Sequence, residues 1–117
     1  MTGFFLVGAG GALGSMLRYA VSLIANKQFP SSTLIVNIIG CFFIGILAGM
    51  LVKNNVTLYS WKFLAIGLCG GFTTFSALSL EGFEMLQQQR YFAFWAYLLL
   101  SISMGLGATF LGYLITK

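Results

Sequence analysis

The stretch GLCGGFTTFSALSLEGFE, residues 67–84, is apolar enough to enter a membrane, yet it contains two adjacent glycines and a run of hydroxyl side chains. Lipid cannot satisfy free backbone N–H and C=O groups, so non-helical backbone at membrane depth must line a cavity or be buried in protein. We predict a helix break at Gly70-Gly71 followed by Thr73-Thr74. The carbonyls before a break attract a cation and the amides after it attract an anion. The alternative is a packing kink whose hydroxyls bond their own helix.

The composition indicates a membrane protein. Of 117 residues, 59% are hydrophobic and 7% are charged, whereas a typical soluble domain is roughly 25% charged. A membrane-spanning helix needs about 20 mostly apolar residues, and the uncharged stretches provide four such helices if Arg18 is tolerated near the end of the first. The sequence therefore predicts an all-α membrane protein with a single transmembrane domain, residues 1–117. Its expected spans are approximately 3–25, 33–52, 61–85 and 92–116.

The basic residues are balanced across the membrane. Four spans place both termini on one side, with Lys53, Lys62 and Lys117, and the other side has Arg18, Lys27 and Arg90. Orientation normally follows an excess of Lys and Arg in the cytoplasmic loops, and here neither side has one. We therefore predict insertion in both orientations and an antiparallel homodimer, which is the two-chain form of an inverted repeat. Because no basic residue precedes Arg18, we expect an uncleaved first helix rather than a signal peptide.

Glycines within the first two spans predict close helix packing. They are Gly8, Gly10, Gly11 and Gly14 on the first helix and GILAG, residues 45–49, on the second. In lipid, small residues allow helix backbones to approach closely. The same GAGGALG stretch could suggest a dinucleotide-binding loop, but Leu13 stands where that motif requires glycine.

The sequence contains no constellation typical of an enzyme. It has no histidine, and its only acids, Glu81 and Glu84, are expected to mark the membrane interface at the end of the third helix. The hydroxyls have no base to activate them. Cys41 and Cys69 fall within spans and are interpreted as small buried residues rather than a disulfide or metal pair. We therefore expect a protein without enzymatic activity.

Three motifs resemble those of one family of membrane proteins. GGALGSMLRY (residues 10–19), TLIVNIIGCFFIG (33–45) and GLCGGFTTFS (67–76) resemble the Fluc/CrcB fluoride channels, in order and over the whole chain. The resemblance implies a dual-topology homodimer in the cell inner (plasma) membrane, with two antiparallel pores that pass fluoride and exclude chloride. It also implies passive fluoride efflux, resistance to fluoride and one central structural sodium ion.

The resemblance also implies roles for individual residues. The backbone carbonyls of Gly70 and Thr73 would bind sodium together with the same atoms of a second subunit. Pore residues would be Asn37, Phe75, Thr74 and Ser76, joined by Tyr97 and Ser101, which lie one turn apart on the fourth helix. Arg18 would stand at an aqueous vestibule or reach the lipid head groups. Without the resemblance, Asn37 would be expected to bond a neighbouring helix.

One departure from the family pattern leaves alternatives open. The family usually continues TTFSTF, whereas this chain has TTFSAL, so Ala77 lacks a hydroxyl and Leu78 lacks an aromatic ring. The pore could tolerate leucine, or a paralogous subunit could supply the missing groups. A small multidrug exporter would also have four spans and dual topology. Exporters of that kind use an acidic residue on the first helix for proton coupling, and this first helix has no acid. A nonconducting membrane scaffold or accessory subunit is the other alternative.

Overall fold

The structure is a computed structural model that describes residues 1–24 and 32–117. The described residues form helices, joined by short turns. They are α1 (Thr2–Ile24), α2 (Ser32–Val52), α3 (Leu58–Trp61), a π-helix (Lys62–Cys69), α4 (Gly70–Phe72), α5 (Phe75–Gln87) and α6 (Tyr91–Thr116). The elements from α3 to α5 follow one another as a single third span, Leu58–Gln87. The prediction of four membrane-spanning helices, the third broken near its middle, is confirmed.

The break lies at the threonines rather than at the glycines. Thr73 (φ −85°, ψ 159°) and Thr74 (φ −151°, ψ 126°) are extended, whereas Gly70 has helical angles (φ −62°, ψ −39°) and Gly71 lies within α4. The Thr74 side chain accepts a hydrogen bond from the Ala77 amide and thereby caps α5, as threonine does at many helix starts. The two threonines predicted beside the break are therefore the residues at which the helix is interrupted.

The glycines bring α1 against the third span. A Cβ on Gly10 would overlap the Phe63 carbonyl oxygen, and one on Gly14 would overlap the Leu68 carbonyl oxygen. From the other side, a Cβ on Gly71 would lie 2.5 Å from the carbonyl oxygen of Gly11. These close approaches confirm the packing role predicted for Gly10 and Gly14. Gly8, in contrast, has no atom of the described residues within 4 Å of its Cβ position.

A second pair of helices, α2 and α6, packs in the same way. Cβ atoms on Gly45 and Gly112 would overlap backbone carbonyls of the opposite helix. At this distance side chains of α6 reach the backbone of α2: the Thr109 hydroxyl donates to the Cys41 carbonyl (3.0 Å) and the Thr116 hydroxyl to the Ile46 carbonyl (2.8 Å). Small residues and interhelical hydroxyl bonds are the usual means of association in lipid.

Two small buried clusters join the helix pairs. Leu34, Leu78 and Tyr97 connect α2, α5 and α6, with Ile38 and Met85 packed around them. Leu47, Ala65 and Cys69 form a second cluster between α2 and the π-helix. Between and beside these clusters, grooves follow the line along which α2 meets the third span. The helix break opens into one of these grooves.

Candidate functional site

Asn37 on α2 fixes the backbone at the helix break. Its side-chain nitrogen donates to the Thr74 carbonyl (3.0 Å), and its side-chain oxygen accepts from the Thr74 amide (2.8 Å). A side-chain amide thus satisfies both backbone groups of one extended residue, which lipid could not do. Asn37 does bond a neighbouring span, and the residue it holds is the one at the break. One N–H of the Asn37 amide remains beyond this pair, since the group carries two.

Two backbone carbonyls lose their helical partners at the break. In a continuous helix the Thr74 amide would bond the Gly70 carbonyl, and the Ala77 amide would bond the Thr73 carbonyl. Here the Thr74 amide bonds Asn37 and the Ala77 amide bonds the Thr74 hydroxyl (3.2 Å). The oxygens of Gly70 and Thr73 are therefore left without their helical donors, and carbonyl oxygens are ligands that suit a hard cation. This chemistry fits the pair predicted to bind sodium.

A cavity of about 420 Å³ lies beside the break. Its lining includes Asn37, Gly70, Thr73, Thr74, Phe75 and Ser101, so one space collects six of the residues that the resemblance singles out. The Ser101 hydroxyl is buried and has no hydrogen-bond partner in the described part of the chain. A buried unpaired hydroxyl is unfavourable, and here it borders a cavity in which a bound ligand could accept its hydrogen bond.

Phe75 and Ser76 begin α5 on the exposed side of the break. The Phe75 ring lines the cavity but is 78% exposed in the single chain. The Ser76 hydroxyl lies 3.2 Å from the Thr74 hydroxyl, although Ser76 is not among the residues that line the cavity. Leu78, the departure from the family pattern, is buried against Leu34 and Tyr97 and also borders the cavity.

Tyr97 occupies a different place from Ser101. Its side chain is fully buried, and its hydroxyl donates to one carboxylate oxygen of Glu81 (2.6 Å). The Thr33 hydroxyl donates to the other carboxylate oxygen. Glu81 is half-buried, so this carboxylate is bonded by hydroxyl donors of two neighbouring helices, and its expected position at the membrane interface stays a prediction. Glu84 is exposed, as expected of an interfacial acid.

Arg18 lines a second, more polar cavity of about 390 Å³. The guanidinium Nε donates to the Gly71 carbonyl (3.2 Å), which ties the end of α1 to the third span. Hydroxyl groups supply much of the remaining lining, from Ser15, Tyr19, Ser22, Ser32, Thr33 and Thr74. Thr74 borders both cavities, so the helix break separates the Arg18 cavity from the one that contains Asn37 and Phe75.

Comparison with known proteins places the chain in a family. Residues 5–113 match the family described as CrcB-like protein, Camphor Resistance (CrcB). The chain belongs to the CrcB family. Proteins named fluoride-specific ion channel FluC are similar to it over almost their whole length. The relative from Azobacteroides pseudotrichonymphae is 47% identical over 118 residues, which cover 97% of this chain and 94% of that protein. The relative from Flavobacterium psychrophilum is 44% identical over 122 residues, covering 100% and 98%.

Membership of the CrcB family confirms the resemblance drawn from the three motifs. Together with the four apolar helices, it identifies a multi-pass membrane protein, which in bacteria resides in the plasma membrane. The multidrug exporter alternative is thereby set aside. The individual roles assigned to the pore, vestibule and sodium-binding residues remain predictions.

Two hydrogen bonds of this CrcB family member, from Thr33 and from Tyr97 to Glu81, were not predicted from the sequence, where Glu81 was interpreted only as an interfacial acid. The signal was available, because an ionisable residue within a membrane span is a functional candidate by default, and Glu81 lies within the third span, Leu58–Gln87. Thr33 lies within the second motif, one turn before Asn37, and so shares a face of α2 with it. What the sequence could not show is that α2 and α6 approach the same carboxylate from two sides.

Proposed function

We propose that the chain is a fluoride channel through which the anion leaves the cell passively. The observation that carries the proposal is the helix break held by Asn37, which places Asn37, Thr74, Phe75 and Ser101 around one cavity at membrane depth. The similarity to proteins named fluoride-specific ion channel FluC supports fluoride as the ion.

The cavity offers fluoride neutral donors in place of its water. The second N–H of the Asn37 amide, beyond the one bonded to Thr74, can donate a hydrogen bond, as can the Ser101 hydroxyl, which has no partner in the described part of the chain. The positive edge of the Phe75 ring can face an anion. No cationic residue is among the described residues that line this cavity. An ion can therefore bind and leave again, as conduction requires. A negative cell interior drives an anion outward with about 2.3 kcal/mol per 100 mV.

Arg18 supplies the positive charge outside this cavity. It lines the neighbouring polar cavity, where its guanidinium and the surrounding hydroxyls raise the local concentration of anions. The bond from Nε to Gly71 fixes the side chain while leaving the terminal guanidinium nitrogens as further donors. This arrangement favours the vestibule role for Arg18 over simple contact with lipid head groups.

We infer that two copies assemble as an antiparallel homodimer. Phe75 is largely exposed in the single chain, and the polar groups of Asn37, Thr74 and Ser101 that border its cavity require shielding from lipid. A second copy that covers this face would enclose the cavity. The balanced basic residues allow the two orientations that such a dimer needs. Light scattering on the purified protein in detergent should give two chains per particle.

A sodium ion fits the carbonyls at the break. One chain offers the oxygens of Gly70 and Thr73, and two chains related by a two-fold axis would offer four. When bound, the ion supplies positive charge that offsets the clustered carbonyl dipoles and holds the two breaks together. The requirement for two chains links the sodium proposal to the dimer proposal.

Removing sodium is expected to destabilise the protein. Replacing it with N-methylglucamine should lower the Tm by at least about 5 °C, because a ligand at 100 times its Kd stabilises by about 2.7 kcal/mol. Differential scanning fluorimetry in detergent measures the shift, with choline in place of N-methylglucamine as the control for a nonspecific effect of the large cation. An unchanged Tm in both sodium-free buffers would contradict a structural sodium ion.

Fluoride resistance tests the proposed function in cells. Expression of the chain in fluoride-sensitive bacteria should restore growth in fluoride, and Phe75→Ile should lose that protection because isoleucine has no positive ring edge. Phe110→Ile is the matched control, since Phe110 is 61% exposed on α6 and does not line the cavity. A nonconducting scaffold predicts that both variants behave as the parent, and that result would reject the proposal.

A further inference from the structure

A groove lies between α1 and α2, with the third span behind it. Its volume is about 380 Å³. Leu17 of α1 and Ile39 and Phe43 of α2 form its two sides, and each of these side chains is partly exposed. Leu64 and Leu68 of the π-helix are less exposed and form its floor. Every side chain in the lining is aliphatic, aromatic or a thiol, so the groove offers a ligand apolar contacts.

The groove extends from near one membrane face to the level of the helix break. On α2 its lining runs from Leu47, close to the end of that helix, back to Ile39. On the third span it runs from Leu64, near the start, to Phe72, beside the break. The α2 stretch rises about 12 Å at 1.5 Å per residue, and one leaflet is half of a hydrocarbon core about 30 Å thick. The groove therefore matches an acyl chain within one leaflet.

Two lysines stand at the end of the groove that is nearest the membrane face. Lys53 follows α2 and is exposed. Lys62 begins the π-helix, and its Nζ would lie 3.2 Å from a Cβ on Gly3 of α1. Each side of the groove thus ends at a lysine. Both acids of the chain, Glu81 and Glu84, lie on α5 beyond the break, so no acidic side chain on this side of the break offsets the two positive charges.

The groove and the cavity at the helix break use different faces of α2. Asn37 lines the cavity, and Ile39, two residues later, lines the groove. Two residues correspond to about 200° around an α-helix, so the two spaces lie on opposite faces. They share only Gly40 and Cys69 among the described residues. A second copy that covers Phe75, as proposed above, therefore leaves the groove open to lipid.

A lipid with an anionic head group is complementary to both parts of this surface. The acyl chain fits an apolar groove at membrane depth, and basic residues near the membrane surface attract anionic head groups. We propose that the groove binds one acyl chain of an anionic phospholipid whose phosphate is held by Lys53 and Lys62. The site does not depend on fluoride conduction, and the dimer proposal enters only because it leaves the groove uncovered.

Quenching of tryptophan fluorescence by brominated lipids tests the site. Trp61 packs on the cluster that contains Leu47 and Cys69, two residues of the groove lining, whereas Trp95 is exposed on α6. Trp95→Phe therefore leaves a reporter at the groove, and Trp61→Phe leaves a reporter of bulk lipid. In phosphatidylcholine vesicles, phosphatidylglycerol with brominated chains should quench Trp61 half-maximally at a mole fraction at least about 5-fold below that for Trp95.

The control lipid separates the head group from the chain. Brominated phosphatidylcholine should quench the two tryptophans at equal mole fractions. Equal mole fractions for brominated phosphatidylglycerol as well would overturn the proposal. A Trp61 that neither lipid quenches would also overturn it, because the groove would then be covered by a second copy. Trp61→Tyr replaces Trp61→Phe where the latter is not monodisperse.

Lysine variants and a soluble competitor test how the lipid is held. In the Trp95→Phe protein, Lys53→Gln and Lys62→Gln should each raise the half-maximal mole fraction of brominated phosphatidylglycerol about 5-fold. Lys117→Gln is the matched control, since Lys117 ends α6 on the same membrane face and is absent from the groove lining. Glycerol phosphate, a head group without a chain, should not relieve quenching. Equal effects of all three substitutions, or relief by glycerol phosphate, would overturn the site.

Discussion

Replacing Asn37 with aspartate should lower fluoride efflux by about 10- to 100-fold. The carboxylate oxygen that replaces Nδ2 cannot donate to the Thr74 carbonyl, so the 3.0 Å bond is lost and two acceptors face each other. Leaving a buried polar group unsatisfied costs about 1–3 kcal/mol, and each 1.36 kcal/mol on a barrier is a factor of ten in rate. The new negative charge at the cavity also repels an entering anion.

The control for this variant makes the same chemical change outside the bundle. Asn55→Asp lies in the exposed turn between α2 and α3, and we expect efflux equal to that of the parent. Fluoride electrode recordings from liposomes measure both variants, and gel filtration checks that Asn37→Asp still forms the parental particle. Parental efflux from an intact Asn37→Asp protein would show that the pair of hydrogen bonds between Asn37 and the Thr74 backbone is not needed for conduction.

Replacing Gly14 with valine should prevent α1 from packing on the third span. A Cβ at this position would overlap the Leu68 carbonyl oxygen, and it would lie 2.7 Å from the Phe72 amide nitrogen. Both are backbone atoms that cannot move aside as a flexible side chain can. We expect destabilisation of about 3 kcal/mol or more, at the upper end of the cost of overpacking, and loss of the monodisperse particle on size-exclusion chromatography.

Gly8→Val is the matched control on the same helix. No atom of residues 1–24 or 32–117 lies within 4 Å of the Gly8 Cβ position, so the added side chain should leave the thermal stability close to that of the parent. The two variants share the change in composition and helix propensity, and they differ in the surroundings of the glycine. Equal stability of the two proteins would contradict the packing of α1 described above.

The sequence predicted the existence of the helix break but not its exact residues. Glycines and hydroxyls within an apolar span indicate either a helix break, whose backbone must then be shielded from lipid, or close helix packing. Gly71 nevertheless serves the contact with α1, and Thr73 and Thr74 leave the helix. A pattern in one span cannot distinguish these uses, since the distinction depends on which helix packs beside each glycine.

Hydrogen-bond partners that are distant in the chain could not be predicted from the sequence alone. Asn37 was expected to bond a neighbouring helix or line a pore, and the structure shows that it holds Thr74. Helical spacing correctly placed Tyr97 and Ser101 one turn apart, but it could not show that the first meets Glu81 while the second borders the cavity. These differences arise because Tyr97 lies against α5, which carries Glu81, whereas Ser101 borders the cavity formed where the third span is broken.

Fluoride efflux from liposomes that contain only this purified protein tests the central claim most directly. Vesicles loaded with fluoride or with chloride are diluted into anion-free buffer, with a potassium gradient and valinomycin to prevent charge build-up, and ion-selective electrodes record each release. A selective homomeric channel predicts rapid release of fluoride with chloride retained, and it would show that Leu78 supports conduction. Retention of both ions by a protein that still runs as a dimer, or equal release of both, would contradict the account.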